Sequence, residues 1–469
     1  MKIAFCTSEA VPFAKTGGLA DVCGALPLAL EDCGQEVIVI MPKYQSVRFS
    51  SIAAKTLDDD CDWAVLGKGV KVYFVKHDMF SREGLYGDQF GDYPDNLKRF
   101  SYFCAKALEI FQKIKFIPDV IHCHDWQTSL VPVMLTANAG LLKWPGQVPK
   151  TLLTIHNISY QGMFAREQMP QTGLDWKYFS ISGLEFFGQI NLLKGGILYA
   201  DALNTVSLTH SQEIQTQAFG CGLDGVLRTR SDRFTGIVNG VDYKIWNPQG
   251  DAHLFKPYSV NNIEDKKVNK KKLQDLCGLA QIEKLPLLGF VGRLVEQKGI
   301  DLIAKALPTL CQHGIQTVVL GVGEKKYEEA LTGLARQYPS LVFYSPHFDD
   351  ELAHHIYAGS DVFLMPSQFE PCGIGQLISF KYGTVPVVYK TGGLADTVLD
   401  VQADAPKGSG FVFAKYTDKG FLSAIERARR LFAEPAEWQE LVHNIMRLNF
   451  SWKESAKKYI DLYEKAKKG

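Results

Sequence analysis

This chain of 469 residues has no surplus of charge: Lys+Arg and Asp+Glu both number 51. A balanced chain lacks the positive field that collects polyanions, so neither nucleic acid nor an anionic membrane is expected as a partner. Long apolar runs are missing too, and with them any expectation of a bilayer-spanning helix. The opening residues Met1-Lys2-Ile3-Ala4-Phe5 enter a strand pattern directly, without the apolar segment of a secretory leader. The ten cysteines are scattered and include no C-x-x-C pair, as suits a reducing compartment rather than a disulfide framework. Together these absences predict a soluble, cytoplasmic protein. No G-x-G-x-x-G follows the first strand, which argues against a dinucleotide dehydrogenase. His122 and His124 have no third and fourth ligand at zinc-like spacing, so no metal is expected at that pair.

What the chain does have is alternation. Its length and its 46% hydrophobic content allow two or three domains with ample core. Apolar runs at 3–7, 36–41, 70–75, 120–122, 152–155, 202–206 and 236–238 read as strands buried on both faces. Helical spacing fills the gaps, for instance at 97–114 and 185–199. Residues 19–30 show it as well, with Pro27 predicting a kink or break and Gly34 a stop. Strands alternating with helices signal a parallel α/β sheet. The turn-rich stretch 239–249 interrupts the rhythm, which places a hinge between residues 239 and 251. A basic run at 266–272 reads as a solvated helix or linker. Strand-like runs then resume at 287–291, 317–320, 341–344, 362–365, 385–389 and 410–413, and 421–468 is helical throughout. The expected organisation is a Rossmann-like domain at 1–245, a second at 246–450, and a C-terminal helix at 451–469 crossing back to the first. Parallel sheets bind ligands at the C-terminal ends of their strands, so a central cleft faced by both domains is the expected site.

Seven residues occur twice: Lys15-Thr16-Gly17-Gly18-Leu19-Ala20-Asp21 and Lys390-Thr391-Gly392-Gly393-Leu394-Ala395-Asp396. Each copy follows a strand-like run and precedes helical spacing. Paired glycines at such a junction let backbone N–H groups face a ligand, and a lysine adds a full positive charge. The first copy therefore reads as a cradle for a phosphate or a sugar hydroxyl. Arg293 and Lys298 share a loop directly after a strand, a pairing suited to a diphosphate, or else to two solvated surface cations. Glu370 opens Glu370-Pro371-Cys372-Gly373-Ile374-Gly375 between a strand and a helix expected to begin near Ile374. That glutamate is a site carboxylate or a helix cap, with free backbone amides just behind it. His124, Asp125 and His156 end neighbouring strands and suit the hydroxyls of a sugar. Tyr93, Trp126 and Tyr160 could stack on sugar rings, although aromatics more often serve the core.

Taken in order, Lys15 to Asp21, His124-Asp125-Trp126, His156-Asn157-Ile158-Ser159-Tyr160-Gln161-Gly162, Gly183-Leu184-Glu185-Phe186, Asn239-Gly240-Val241-Asp242, Arg293-Leu294, Gln297-Lys298-Gly299, Phe369-Glu370-Pro371-Cys372-Gly373 and Thr391 to Asp396 resemble the bacterial glycogen synthases and plant starch synthases. The resemblance spans nearly the full length. It implies the GT-B fold, with two Rossmann-like parallel-sheet domains facing a cleft and a C-terminal helical tail. It also implies transfer of glucose from ADP-glucose to the non-reducing end of an α-1,4-glucan, with retention of configuration and no metal or other cofactor. On the same basis Lys15, Gly17, Gly18 and Asp21 lie on the donor side. Arg293 and Lys298 hold the diphosphate, and Glu370 sits against the transferred glucose with Cys372, Gly373, Ile374 and Gly375 on its hydroxyls. His156, Asp125 and Asn239 line the reaction centre, Phe348 meets the adenine, and Tyr93 and Tyr160 face the acceptor. The second Lys-Thr-Gly-Gly loop is expected to be a structural support near the nucleotide. Three positions depart from the family pattern: Gln368 stands where many relatives have arginine, Gly375 replaces threonine or asparagine, and Gln127 replaces a histidine. A retaining transfer of this kind is expected to run by front-face displacement, the departing phosphate taking the acceptor's proton.

Overall fold

Strands rich in Val, Ile and Phe with no polar alternation must be covered on both faces, as a parallel sheet flanked by helices allows. The computed structural model, which describes residues 1–49, 52–138, 144, 147–401 and 408–468, contains two such sheets. They belong to two compact units, one made of Met1–Gly240 with Trp452–Gly469 and the other of Val241–Ser451. Among the described residues no helix is long and apolar enough to cross a membrane.

The first unit's sheet uses β1 (Lys2–Cys6), β2 (Glu36–Pro42), β3 (Lys55–Asp58), β4 (Cys61–Leu66), β5 (Val70–Val75), β6 (Val120–His124), β7 (Lys150–Ile155), β8 (Ala202–Thr205) and β9 (Phe234–Gly236). Their order across the sheet is β9-β8-β7-β6-β1-β2-β5-β4-β3. All neighbours are parallel except at the β5-β4-β3 edge, which is antiparallel. The second unit's sheet uses β10 (Leu287–Val291), β11 (Gln316–Leu320), β12 (Val342–Ser345), β13 (Val362–Met365), β14 (Val385–Tyr389) and β15 (Phe411–Phe413). These run in the order β12-β11-β10-β13-β14-β15, all parallel. In each unit the chain builds outward from a central strand, then returns and builds the other way. The reversal falls between β1 and β6 and between β10 and β13. At such a point the loops leaving two adjacent strands diverge and open a crevice at the strands' C-terminal ends.

Several local expectations are corrected. Of the two outcomes expected at Pro27, the break does not occur: the first helix, Gly18–Asp32, runs unbroken through it. One missing backbone bond is tolerated there because Leu26, Pro27, Ala29 and Leu30 are all buried and packing holds the helix. Residues 185–199 are not one helix. Glu185–Phe186 and Gln189–Asn191 pair antiparallel, and only Leu192–Tyr199 is helical. Phe187 and Gly188 both take positive φ, the geometry of a two-residue hairpin turn, and Asn191 caps the following helix by accepting the N–H of Lys194. Residues 421–468 are split among three helices, the second opened by Pro435 at its first turn. The basic run is only half solvated: it lies in the helix Lys266–Leu276, where Lys266 and Lys270 are buried. Lys266 Nζ donates to the carbonyls of Tyr357 and Ala358 and to the Thr384 hydroxyl, and Lys270 pairs with Asp361 at 2.7 Å.

The last helix, Trp452–Lys468, belongs to the first unit and seals it. It packs on Gly18–Asp32 with Trp452, Ala456, Tyr459 and Tyr463 buried. Ser455 Oγ donates to the carbonyl of Val238 at 2.8 Å, and Tyr463 Oη meets His122 Nδ1 at 2.8 Å. Replacing Tyr463 by Phe keeps the packing and leaves that imidazole nitrogen buried without a partner. A loss of roughly 1–3 kcal/mol is expected, read as a lower urea midpoint for the first unit. An unchanged midpoint would show that the bond contributes nothing.

Candidate functional site

In the second unit the loops leaving β10 and β13 are tied together. Gly299, at φ 72°, lets the chain pass so close to Pro366 that an added Cβ would lie 2.1 Å from its carbonyl oxygen. Gln297 accepts the N–H of Gln368 at its backbone carbonyl and donates through Nε2 to the carbonyl of Phe369. These bonds deliver Lys298 to Glu370: Nζ to Oε2 is 2.6 Å, with Ser367 Oγ donating to the same oxygen at 2.9 Å. Glu370 is buried, so its charge needs such partners. Arg293, on the same loop as Lys298, is exposed and makes no ion pair among the described residues. A full positive charge thus stands beside a neutralised lysine at the point where the sheet reverses. Behind Glu370, Gly373 sits at φ 72°, and Gln376 Nε2 donates to the carbonyls of Cys372 and Gly373. The helix that follows begins at Gly375, after Ile374.

The repeated heptapeptide behaves differently in its two settings. In the second copy, a Cβ on Gly392 would lie 2.1 Å from the carbonyl oxygen of Glu370, and one on Gly393 1.9 Å from that of Cys372. Gly393 also donates its N–H to the Glu370 carbonyl at 3.0 Å. This copy is a buttress under the Glu370 loop, and only glycine permits the approach. In the first copy, a Cβ on Gly17 or Gly18 would meet nothing within 4 Å. The loop is open on that side, as a ligand cradle requires. Yet its amides are not all outward: Glu9, buried at the end of β1, accepts the N–H groups of Thr16 and Gly17, the Thr16 hydroxyl and Tyr86 Oη. Lys15 and Asp21 form an exposed pair at 2.7 Å.

The other polar cluster of the first unit lies at the ends of β6 and β7. Asp125 has φ 55°, a left-handed backbone that costs a non-glycine residue roughly 1–3 kcal/mol. The strain aims its carboxylate at the next strand, where Oδ1 accepts the N–H of His156 at 2.7 Å. Burial pushes the carboxyl of Asp125 up to about 7, against the lowering effect of the N–H groups of His156 and Asn157. His156 Nε2 meets His124 Nδ1 at 3.0 Å, and the His124 ring is stacked on Phe5 and lies 4.1 Å from that of His122. Burial keeps these imidazoles neutral, driving His156 down to about 3 and His122 and His124 well below their usual value. Two neutral rings share one proton in their contact. If His156 donated, His124 would carry its own proton on Nε2, which is buried without a partner. A buried orphan N–H is rarer than a buried orphan acceptor, so His124 donates and His156 is left with its proton on Nδ1, as a hydrogen-bond donor.

Of the aromatic candidates, Tyr160 and Phe348 are 63% and 84% exposed, available as stacking faces. Tyr93 is half-buried, its ring held by the guanidinium groups of Arg82 at 4.7 Å and Arg99 at 5.1 Å. Trp126 is core: it packs edge-on against Phe100 and under Gly162. Asn239 is buried just before the boundary of the first unit. Sequence reasoning missed Glu9, Tyr86 and Ser367. The first had a signal, since Thr7-Ser8-Glu9 is a polar cluster at a strand end; the other two gain meaning only from contacts far along the chain.

Because the Asp125 carboxyl titrates at about 7 when folded and at 3.8 when unfolded, the native state binds more protons between those values. Its stabilising contribution is present below that window and lost as pH rises through it. Asn at this position cannot titrate. The melting temperature of the wild type is therefore expected to fall relative to Asp125→Asn as pH is raised from about 4 to about 7. A difference that stays constant over that range would contradict the assignment.

Comparison with known proteins follows the same division. Residues 2–229 match the family described as the starch synthase catalytic domain, and residues 278–459 match glycosyl transferases group 1. A glycogen synthase of Syntrophotalea carbinolica is 45% identical with 99% of each chain aligned, and one of Thermotoga maritima is 41% identical over 99% of each. Among solved structures, the catalytic domain of starch synthase IV from Arabidopsis thaliana, bound to ADP and acarbose, superposes with a TM-score of 0.87 at 33% identity, covering 100% of this chain and 99% of its own. Sucrose-phosphate synthase from Thermosynechococcus elongatus shares the fold alone, with a TM-score of 0.59 at 18% identity over 99% and 98% of the two chains. The chain belongs to the glycogen and starch synthase family of glycosyltransferases and has its GT-B fold.

Proposed function

We propose that this enzyme transfers glucose from ADP-glucose to the non-reducing end of an α-1,4-glucan such as glycogen, with retention of configuration and release of ADP. The observation that carries the reading is the Lys298–Glu370 pair beside the unpaired Arg293, at the strand ends where the second sheet reverses. Arg293 binds the diphosphate through its planar fork, and Lys298 adds a point charge. In the ligand-free state Glu370 neutralises Lys298. An arriving diphosphate shares that lysine, so positive charge is concentrated where the leaving oxygen becomes anionic. Glu370, partly released, faces the positive charge that develops on the transferred sugar. The amides of Gly373, Ile374 and Gly375 and the thiol loop at Cys372 hold its hydroxyls. Phe348 offers a stacking face to the adenine.

In the first unit, His156 donates from Nδ1 to a sugar oxygen. Asp125 sets the backbone of that histidine, and Asn239 contributes a further polar contact. Lys15, with the open Gly17-Gly18 turn, takes an anionic oxygen of the donor; Asp21 holds that lysine until the donor arrives. Tyr93 and Tyr160 contact the glucan. Since Thr16 and Gly17 already donate to Glu9, the cradle relies on Lys15 rather than on a full ring of amides.

The direct test is release of ADP in a coupled assay with glycogen, run with ADP-, UDP- and GDP-glucose. Turnover only with ADP-glucose is expected; turnover with another donor alone would refute the donor assignment, and binding without turnover would refute the reaction. Lys298→Ala should lower kcat by about two to three decades, the effect of removing one well-aimed charge donor worth about 2.7–4 kcal/mol. The glucan KM should change little. A kcat within threefold of wild type would remove Lys298 from leaving-group stabilisation.

A further inference from the structure

Away from these loops, the second unit carries a cluster that the reaction does not use. His253, Asp350 and His354 each offer one ligand atom, and those atoms lie within 4.8 Å of one another. Asp350 and His354 stand four residues apart on the helix Asp350–Gly359, so they share a face. His253 comes from the segment that follows Trp246.

The cluster is supported as metal ligands usually are. Asp251 Oδ2 lies 2.6 Å from His354 Nδ1 and accepts its proton, and it also accepts the hydroxyl of Tyr382. A carboxylate on Nδ1 fixes the tautomer, leaving the lone pair of His354 on Nε2. No hydrogen bond occupies that Nε2 among the described residues. The His354 ring is locked by stacking on Trp246, with centroids 4.1 Å apart and planes 8° from parallel. His253 lies beside it, ring centroids 4.7 Å apart. Its backbone is held on both sides: the N–H donates to Asp251 Oδ1 at 3.0 Å, and the carbonyl accepts from His355 Nε2 at 2.7 Å. One ligand is therefore buried and preset, while the other two are exposed and able to turn. Ligand atoms bound at zinc distances sit about 3.4 Å apart in a tetrahedron, against a present spread within 4.8 Å, and His253 and Asp350 are the exposed pair.

We propose that His253, Asp350 and His354 bind one divalent transition-metal cation of the zinc class, with Asp251 as the outer carboxylate and water in the fourth position. Two imidazoles and one carboxylate select zinc, cobalt or nickel over magnesium and calcium, which favour all-oxygen sites. The cation would clip the 246–255 segment to the helix Asp350–Gly359 within the second unit. It takes no part in glucosyl transfer, and the proposal does not rest on that activity. The chief rival for an added cation is the exposed thiol of Cys221.

The test uses the full chain carrying Cys221→Ser, stripped with chelator and titrated with zinc chloride by calorimetry. One site per chain is expected. Adding His253→Ala or Asp350→Asn, both at exposed positions that leave the core untouched, should each weaken binding about tenfold or more. Magnesium chloride should give no binding. A smaller effect from either substitution, or equal binding of magnesium, would overturn the proposal.

Discussion

A parallel sheet covered on both faces can offer a ligand nothing but its strand ends, and this constraint governs where chemistry lies in each unit. At those ends polar groups are taken out of water, so each charge must find a partner or give up its charge. Glu370 is answered by Lys298 and Ser367, and Glu9 by Thr16, Gly17 and Tyr86. His122, His124 and His156 take the other course and stay neutral, while the carboxyl of Asp125 is pushed up to about 7. Each strand end assembled this way is partly desolvated in advance, so charges there act more strongly on one another than the same residues would in water.

The repeated heptapeptide shows how one local solution serves two ends. Glycine pairs are needed in both copies, but for opposite reasons. Around Gly17 and Gly18 there is room, and the missing side chains keep that room open. Around Gly392 and Gly393 there is none, and the missing side chains let two loop backbones touch. Identity of sequence therefore carries identity of backbone shape, not of role. The role depends on what the rest of the unit places opposite.

Much of the architecture was legible because strand burial writes itself as unbroken apolar runs. The runs at 36–41, 70–75 and 385–389 match β2, β5 and β14 to within a residue. What misled was local pattern without partner. Glu185 to Tyr199 has helical spacing, yet Phe187-Gly188 turns the chain into a hairpin that pairs with Met163–Ala165. The lysines at 266 and 270 look solvated in one dimension, whereas carbonyls from about ninety residues away and the carboxylate of Asp361 receive them. At the site, residue types at strand ends were readable and their bonding was not. Nothing near Lys298 in the chain announces Glu370 as its partner, because the contact spans 72 positions. The sequence suits His124 to a sugar hydroxyl; its stacking on Phe5 and its bond to His156 exist only once three strands lie side by side.

The helix that carries Tyr463 comes after the whole second unit in the chain, yet it completes the first. The crossings out and back run side by side, with Val241 donating its N–H to Phe450. On a ribosome, then, the earlier unit waits with an open flank, and His122 Nδ1 without its Tyr463 partner, until the later one has emerged. Order of synthesis and order of completion are reversed, and the downstream unit is free to reach its native form first.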